Sequence, residues 1–156
     1  MRYLIVNKLN NCKLLKTFYF IFTFTEQNIT FFVMKKKDIK ILLVDDEQDI
    51  LEIVGYNLSQ EGYQIVTASN GKEAILKAKK ELPQLIIMDV MMPEMDGMEA
   101  CENIRKIPEL QDTIITFLTA RSEDYSQVAG FDAGADDYIA KPIKPKVLVS
   151  KVQALL

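Results

Sequence analysis

The sequence predicts an α/β protein built on a doubly wound, five-stranded parallel sheet. From Lys40 onward, short apolar runs alternate with amphipathic stretches, and five such pairs can be counted. The chain has 156 residues, of which 49% are hydrophobic, and this is enough to fill one core. Because a helix between two strands brings the chain back to the same end of the sheet, the alternation favours parallel pairing.

The first two strand–helix pairs follow from the apolar pattern. Residues 41–44 form an apolar run, and Ile50, Val54 and Leu58 then recur at helical spacing up to a break near Gly62. The second pair comprises a strand at 64–68 and a helix that begins after the Asn-Gly turn at 70–71, with apolar positions at Ala74, Ile75, Ala78 and Leu82.

The other three pairs are assigned in the same way. Residues 85–88 are wholly apolar, which is typical of a fully buried strand. The last helix has Leu148, Val152 and Leu155 at spacings of four and three residues. The predicted strands are 85–88, 113–118 and 137–140, and the predicted helices are 97–106, 122–133 and 145–156.

Residues 1–34 differ in composition from the rest of the chain. Up to residue 33 they carry four basic residues against one acid, Glu26, and six of the eight phenylalanines. The apolar run 18–24 resembles a signal peptide, but no small-residue cleavage site follows, and a membrane span would need about 20 apolar residues. Met34 and the three lysines after it resemble a natural start. We therefore expect residues 1–34 to be an N-terminal extension, disordered or due to an upstream start, and residues 35–156 to be the domain.

The composition excludes several kinds of chemistry. The chain has no histidine, which removes the commonest general base, the commonest zinc ligand and any phosphohistidine of its own. A net charge of −3 gives no basic field for nucleic-acid phosphates, so contact with DNA would need an effector domain that is not in this chain. Cys12 and Cys101 show no metal-ligand spacing, so we expect plain thiols in a reducing cytoplasm and no membrane partner.

Five chemically active side chains follow the ends of predicted strands. Asp45 and Asp46 follow strand one, Asp89 follows strand three, Thr119 follows strand four and Lys141 follows strand five. The carboxyl ends of parallel strands open on one edge of the sheet, and for the strand order 2-1-3-4-5 the binding crevice lies between strands one and three. The three aspartates are therefore expected to converge there.

Converging carboxylates require a cation. Three carboxylates in one place raise one another's pKa, and Mg²⁺ suits them because it uses few protein carboxylates and keeps positions open for water or phosphate oxygens. Lys141 adds a positive charge, and Thr119 offers a hydroxyl donor. A nucleophilic carboxylate, a metal, a cation and a neutral donor together suit phosphoryl transfer.

Four stretches of the sequence resemble the receiver domain of bacterial two-component response regulators. Each stretch alone is weak, but their order and spacing together are specific, and the resemblance covers about residues 37–156. It implies the flavodoxin-like (βα)5 receiver fold for the domain at 35–156. The four stretches are LLVDDE at 42–47, MDVMMPEMDG at 88–97, LTA at 118–120 and GADDYIAKP at 134–142.

The resemblance implies a metal site at the phosphorylated residue. Asp89 would be the phosphoacceptor and would also contact the metal. Asp46 would bind Mg²⁺ directly, Asp45 largely through water, and the main-chain carbonyl of Met91 would be a further ligand. Mn²⁺ could take the place of Mg²⁺.

The resemblance also implies a switch. Lys141 would pair with the phosphoryl group, and its peptide bond to Pro142 would be cis. The hydroxyl of Thr119 would move onto a phosphoryl oxygen, and the ring of Tyr138 would turn inward to fill the space. Phosphorylation would thereby change the face formed by the fourth helix, the fifth strand and the fifth helix.

Partners and output follow from the same resemblance. Without histidine, the chain needs a sensor histidine kinase, a phosphotransfer protein or a small phosphodonor. The resemblance is to the winged-helix transcription-factor branch, whose receivers dimerise, so transcription through an absent effector domain is the expected output. In that branch a basic residue is expected at Gln127 and an acid at Val147, and both are missing, although Asp137 and Lys151 could still pair. A stand-alone receiver that acts by protein–protein contact or in a phosphorelay is the alternative.

Other interpretations of these residues remain open at this point. Asp45 and Asp46 could cap the helix after strand one, and Thr119 could cap another. Tyr138 could be an ordinary core aromatic. A phosphatase of the haloacid dehalogenase type would need a second aspartate where this chain has Met91, and a flavodoxin-like binding module would need a Ser-, Thr- and Gly-rich loop after strand one. We expect a phosphoacceptor signalling domain and not an enzyme.

Overall fold

Five parallel strands form the sheet of the domain in this computed structural model. Across the sheet, the second strand along the chain comes first, followed by the first, third, fourth and fifth. The structure describes residues 35–119 and 133–156 in full, and the backbone of residues 3–5, 19–25 and 28–34. The strands are β1 (Lys40–Val44), β2 (Gln64–Ala68), β3 (Leu85–Asp89), β4 (Ile114–Thr119) and β5 (Asp137–Ala140). The predicted fold class and strand order are confirmed.

Four α-helices cover the two faces of this sheet among the described residues. They are α1 (Gln48–Gln60), α2 (Gly71–Glu81), α3 (Gly97–Arg105) and the C-terminal helix (Pro145–Leu155). Short 3₁₀ helices lie at Lys36–Asp38 and Pro108–Leu110. The helix predicted at 122–133 lies outside the described residues, apart from Ala133, which lies in a turn.

Strand β4 is displaced by one residue from its prediction. The sequence predicts a start at Thr113, whereas the strand begins at Ile114. Thr113 closes a turn instead, because its main-chain N–H donates to the carbonyl of Leu110 at 3.1 Å and its hydroxyl donates to the carbonyl of Pro83 at 3.0 Å. A β-branched residue at a strand boundary therefore belongs here to the preceding turn.

Two hydrophobic clusters lie on opposite faces of the sheet. One face packs against α2 and α3 through residues that include Ala74, Ala78, Cys101 and Ile104. The other face packs against α1 and the C-terminal helix. Successive residues of a strand alternate between the faces. The central strand β3 is buried along its whole length.

Three further strands lie before the domain. Residues Tyr19–Thr25 and Asn28–Met34 pair in antiparallel register, and Tyr3–Ile5 pairs with the first of them. The division of the chain after residue 34 into an extension and a domain stays a prediction.

The start of α2 is held by a network of hydrogen bonds around Glu73. The side chain of Asn70 accepts the Glu73 N–H at 2.9 Å, and the Glu73 carboxylate accepts the Ser69 N–H at 2.7 Å and its hydroxyl at 2.9 Å. Lys77 lies 2.7 Å from Glu73, one helical turn on. The hydrogen bond from Lys77 and those from Ser69 lower the pKa of Glu73 from 4.5 to about 2.

Replacement of Glu73 by Gln is therefore expected to lower the free energy of unfolding at pH 7 by about 1 kcal/mol, a modest value because the pair is partly exposed to solvent. Because the folded-state pKa is depressed, this contribution is complete above about pH 4.5 and is lost as the pH falls toward 2. Urea unfolding of both proteins between pH 7 and pH 3 tests this. The control Glu52→Gln should show a smaller difference at pH 7. A loss of stability in Glu73→Gln that persists unchanged at pH 3 would contradict the assignment.

Candidate functional site

The site lies where the carboxyl ends of the central strands meet. Asp45 directly follows β1, and Asp89 ends β3, the neighbouring strand. Thr119 ends β4, and Lys141 directly follows β5. Each of these residues ends a paired strand or directly follows one, so its main chain is held in place by the sheet. The structure brings the predicted residues to one edge.

Three aspartates form an acidic cluster at this edge. One carboxylate oxygen from each of Asp45, Asp46 and Asp89 lies within 4.8 Å of the others. Asp45 and Asp89 are only 1% and 6% exposed, whereas Asp46 is exposed. All the donors are hard oxygens, and two of the carboxylates are largely removed from water. This donor set fits Mg²⁺, which prefers few carboxylates and retains water or phosphate oxygens at its other positions.

Lys141 supplies the positive charge of the site. Its Nζ lies 2.9 Å from Asp45 Oδ2, 3.4 Å from Asp89 Oδ2 and 3.4 Å from Glu47 Oε1. Burial alone would lower the pKa of Lys141, but the hydrogen bond to Asp45 and the charge of Asp89 outweigh it and raise the pKa above its ordinary value. Lys141 is therefore an ammonium ion at neutral pH.

Asp89 lies in a setting that disfavours its anionic form. Burial raises the pKa of Asp89, and the charge of Asp45 raises it further, while Lys141 opposes both. One lysine does not compensate for the three aspartates. Additional positive charge at the cluster would favour the anionic carboxylate, which is the form that can act as a nucleophile.

Thr119 and Tyr138 lie on the two strands at the edge of the site. Thr119 is 7% exposed, and its carbonyl accepts the Lys141 N–H at 2.7 Å. Tyr138 is half-buried against the cluster between the sheet, α2 and α3. The Lys141–Pro142 peptide bond is cis, as the resemblance implies.

Lys151 binds the segment that carries Tyr138. Its Nζ lies 2.7 Å from Asp137 Oδ1 and 5.0 Å from the centre of the Tyr138 ring, and it donates to the Tyr138 carbonyl. The predicted pairing of Asp137 with Lys151 thus occurs within one chain. Of the other two positions considered for a dimer, Val147 is 52% exposed and Gln127 lies outside the described residues.

The capping interpretation of the aspartate pair does not hold. The N-cap of α1 is Glu47, whose side chain makes no capping hydrogen bond. Asp45 instead accepts the Glu47 N–H through Oδ1 at 2.9 Å and the Lys141 ammonium through Oδ2.

The loop after Asp89 is held close to the sheet by a glycine that the sequence analysis did not single out. A Cβ on Gly97 would lie 2.2 Å from the carbonyl oxygen of Asp89, and the Gly97 N–H donates to the Val90 carbonyl at 2.9 Å. This loop contains Met91, which is 64% exposed. A role of Met91 as a Mg²⁺ ligand would rest on its main-chain carbonyl, because Mg²⁺ prefers oxygen donors to a thioether. The sequence offered one signal for this role: Gly97 is the first residue of the predicted third helix and follows Asp89 by eight residues.

Comparison with known proteins identifies the family. The model of the response regulator receiver domain matches residues 41–153. The chain belongs to this family. A receiver domain is the phosphorylation-activated switch of a two-component system.

Solved and curated relatives agree with this assignment. The alkaline phosphatase synthesis transcriptional regulatory protein PhoP of Bacillus subtilis is 45% identical over 117 residues, which are 75% of this chain and 48% of PhoP. The transcriptional regulatory protein ResD of the same organism is 47% identical over the same shares of the two chains. The structure of the chemotaxis response regulator CheY4 of Vibrio cholerae superposes with a TM-score of 0.73 at 35% identity, covering 76% of this chain and 98% of CheY4.

The chain spans about half the length of the curated relatives it matches. Within the described part of the receiver chain, no helix has both the length and the apolar character needed to span a membrane.

Replacement of Gly97 by Ala is expected to destabilise the receiver domain by about 1–3 kcal/mol, because the new Cβ would overlap the main chain of Asp89. Urea unfolding measures the loss. Gly55→Ala is the matched control, since a Cβ on Gly55 in α1 would meet only two side-chain carbons at 3.6 Å, and the change should be neutral or stabilising. Equal stabilities of the two variants would refute the close-approach argument.

Proposed function

We propose that Asp89 accepts the phosphoryl group of this receiver domain, with Mg²⁺ held by Asp45, Asp46, Asp89 and the main-chain carbonyl of Met91. The observation that supports this proposal most strongly is that one oxygen from each of the three aspartates lies within 4.8 Å of the others. One of the three, the buried Asp89, also contacts Lys141. Mn²⁺ satisfies the same oxygen donors. When bound, the metal neutralises charge on the phosphoryl oxygens during transfer.

The residues of the chain divide the chemistry among them. A carboxylate oxygen of Asp89 attacks the phosphorus of the donor, and the bond from phosphorus to the donor's leaving atom breaks, with the electron pair remaining on the donor. The Lys141 ammonium, 3.4 Å from Asp89 Oδ2, then lies beside the new phosphoryl oxygens and stabilises their charge. The sheet holds both groups in place before the donor arrives, which lowers the entropic cost of the reaction.

We assign the response to Thr119 and Tyr138. Thr119 ends β4, the strand next to β3, one residue beyond Leu118, which pairs with Asp89. Tyr138 is half-buried on the next strand, opposite Phe117. A group at the border between core and solvent can occupy either side at a small difference in free energy, which suits a two-state element.

A sensor histidine kinase or a phosphotransfer protein is the proposed donor, since this chain has no histidine. The similarity to PhoP and ResD, both named as transcriptional regulatory proteins, supports transcription as the output, with DNA contacted through an effector domain and the receivers pairing as homodimers on phosphorylation. We propose no enzymatic turnover beyond the chemistry of the aspartyl phosphate. We also propose a cytoplasmic location. A free thiol agrees with a reducing compartment: Cys101 is free and buried, and burial raises its pKa to about 11.

A stand-alone receiver is the second candidate. The observation that favours it is the match to CheY4, of which this chain covers 98%. In that case the switched face would act by contact with another protein.

Addition of Mg²⁺ is expected to raise the melting temperature of the domain, because binding to the folded state alone stabilises it. At a concentration of 100 times Kd, the gain is about 2.7 kcal/mol. Replacement of the exposed Asp46 by Asn should abolish most of this rise in a thermal-shift titration. Asp112→Asn, in a turn before β4 at the opposite edge of the sheet, should retain it. An equal Mg²⁺ response in Asp46→Asn and wild type would argue against the metal site.

Incubation of the wild-type chain with acetyl phosphate and Mg²⁺ is expected to add one phosphoryl group, measured by intact mass. Asp89→Asn should add none, because the amide is a poor nucleophile, and removal of Mg²⁺ with a chelator should prevent the gain in the wild type. A gain of the same size in Asp89→Asn would place the acceptor elsewhere. No gain in the wild type with any donor would end the proposal.

A further inference from the structure

Lys141 is surrounded by carboxylate acceptors in this structure. An ammonium group carries three N–H donors and no acceptor. Three carboxylates surround its Nζ, Asp45 at 2.9 Å and Asp89 and Glu47 at 3.4 Å each. Two donors form hydrogen bonds to Asp45 and Glu47, and Asp89 adds an ion pair. A phosphoryl oxygen on Asp89 must therefore compete with these carboxylates for the ammonium group.

The three partners differ in how easily they can leave. The side chain of Asp45 is 1% exposed and makes the shortest contact, and its other oxygen is occupied by the Glu47 N–H. Loss of its partner would leave a buried charge unpaired, which is strongly unfavourable. Asp89 would itself carry the phosphoryl group. Glu47 has a side chain that is 64% exposed, so water can replace Lys141 as its partner at little cost.

The side chain of Glu47 has no competing role in the helix. Glu47 is the N-cap residue of α1, a position that favours Ser, Thr, Asp or Asn, and its carboxylate makes no capping hydrogen bond. The contribution of Glu47 to helix entry comes from its main chain, which donates to Asp45. Among the described residues, its carboxylate is recorded in contact with Lys141.

We propose that Glu47 is a positioning residue that acts through Lys141: it occupies one donor of the ammonium group and is displaced when the phosphoryl group forms. This inference rests on the proposed function of Asp89 and Lys141. In this role Glu47 weakens the binding of an anion at Asp89 in two ways. Its carboxylate competes with phosphoryl oxygens for Lys141, and its negative charge at the mouth of the site repels an incoming anion.

Removal of the charge should therefore make the site accept an anion more readily. An exposed ion pair is of a strength that changes an equilibrium by roughly two- to fivefold. We expect Glu47→Gln to lower the half-saturating concentration of beryllofluoride, at fixed Mg²⁺, by about that factor. The gain should shrink as the salt concentration rises, because the pair is screened by ions.

The experiment compares wild type, Glu47→Gln, Glu52→Gln and Asp89→Asn in a beryllofluoride titration followed by thermal shift. Glu52 provides the matched control, because it is an exposed glutamate of the same helix whose side-chain oxygen accepts a hydrogen bond from Gln48. Its replacement makes the same change in net charge and should move the midpoint by less than about 1.5-fold, as expected for a distant screened charge.

The outcomes separate the two proposals. A wild type that responds while Asp89→Asn does not supports the proposed function, and a midpoint lowered in Glu47→Gln alone supports the role of Glu47. If the wild type responds and Glu47→Gln has an unchanged or higher midpoint, or Glu52→Gln shows the same gain, the role of Glu47 is refuted while the proposed function stands. If the wild type gives no response, both fall.

Discussion

Two buried carboxylates held beside one ammonium group are the interaction on which the rest of this domain depends. Asp45 and Asp89 follow adjacent parallel strands, so the hydrogen bonds of the sheet bring them together whatever their mutual repulsion. Lys141 contacts both, but it does not balance them, because Asp46 and Glu47 add further negative charge at the opening. The site is therefore short of positive charge by construction. That imbalance favours the binding of a cation, and it favours an anionic group only when a cation binds with it.

The fold supplies the rigidity that such a site requires. Repelling charges separate unless their main chains are fixed, and here β3 is buried along its whole length between two hydrophobic clusters. The loop after Asp89 is fixed as well, because Gly97 brings α3 against the Asp89 carbonyl. The proposed switch residue Tyr138 lies at the less buried edge of the sheet, where it is half-buried and Lys151 donates to its main-chain carbonyl. Burial thus decreases across the sheet from the central strand β3 to the edge strand β5.

The sequence alone predicts the five parallel strands and the end of the sheet at which the reactive side chains meet, since both depend on apolar periodicity and on the geometry common to all parallel sheets. The strand order was taken from the flavodoxin-like fold class, because periodicity does not determine it. The one-residue shift of β4 was not predictable, because it depends on a hydrogen bond from Thr113 to Pro83, thirty positions away. The contact of Glu47 with Lys141 was also not predicted, because an acidic residue after two aspartates indicates only further negative charge near the site. Its contact with Lys141 joins residues 94 positions apart, and no local pattern reports such a contact. The metal ligands and the switch pair were assigned by resemblance, and their roles stay proposals.

The raised pKa of Lys141 limits how this site can be controlled. Because the surrounding carboxylates hold the lysine in its charged form, its charge does not vary with pH in the neutral range. Regulation must act through which oxygens the ammonium contacts and not through whether it is charged. The buried Asp45 makes the shorter contact with Lys141 and Glu47 is the exposed partner, so the proposed exchange takes place on the exposed side of the lysine. In this proposal a new anion at Asp89 is recognised there without loss of the contact between Lys141 and Asp45. The strand ends that carry Thr119 and Lys141 are joined by a main-chain hydrogen bond, so the proposed switch residue is directly connected to the lysine.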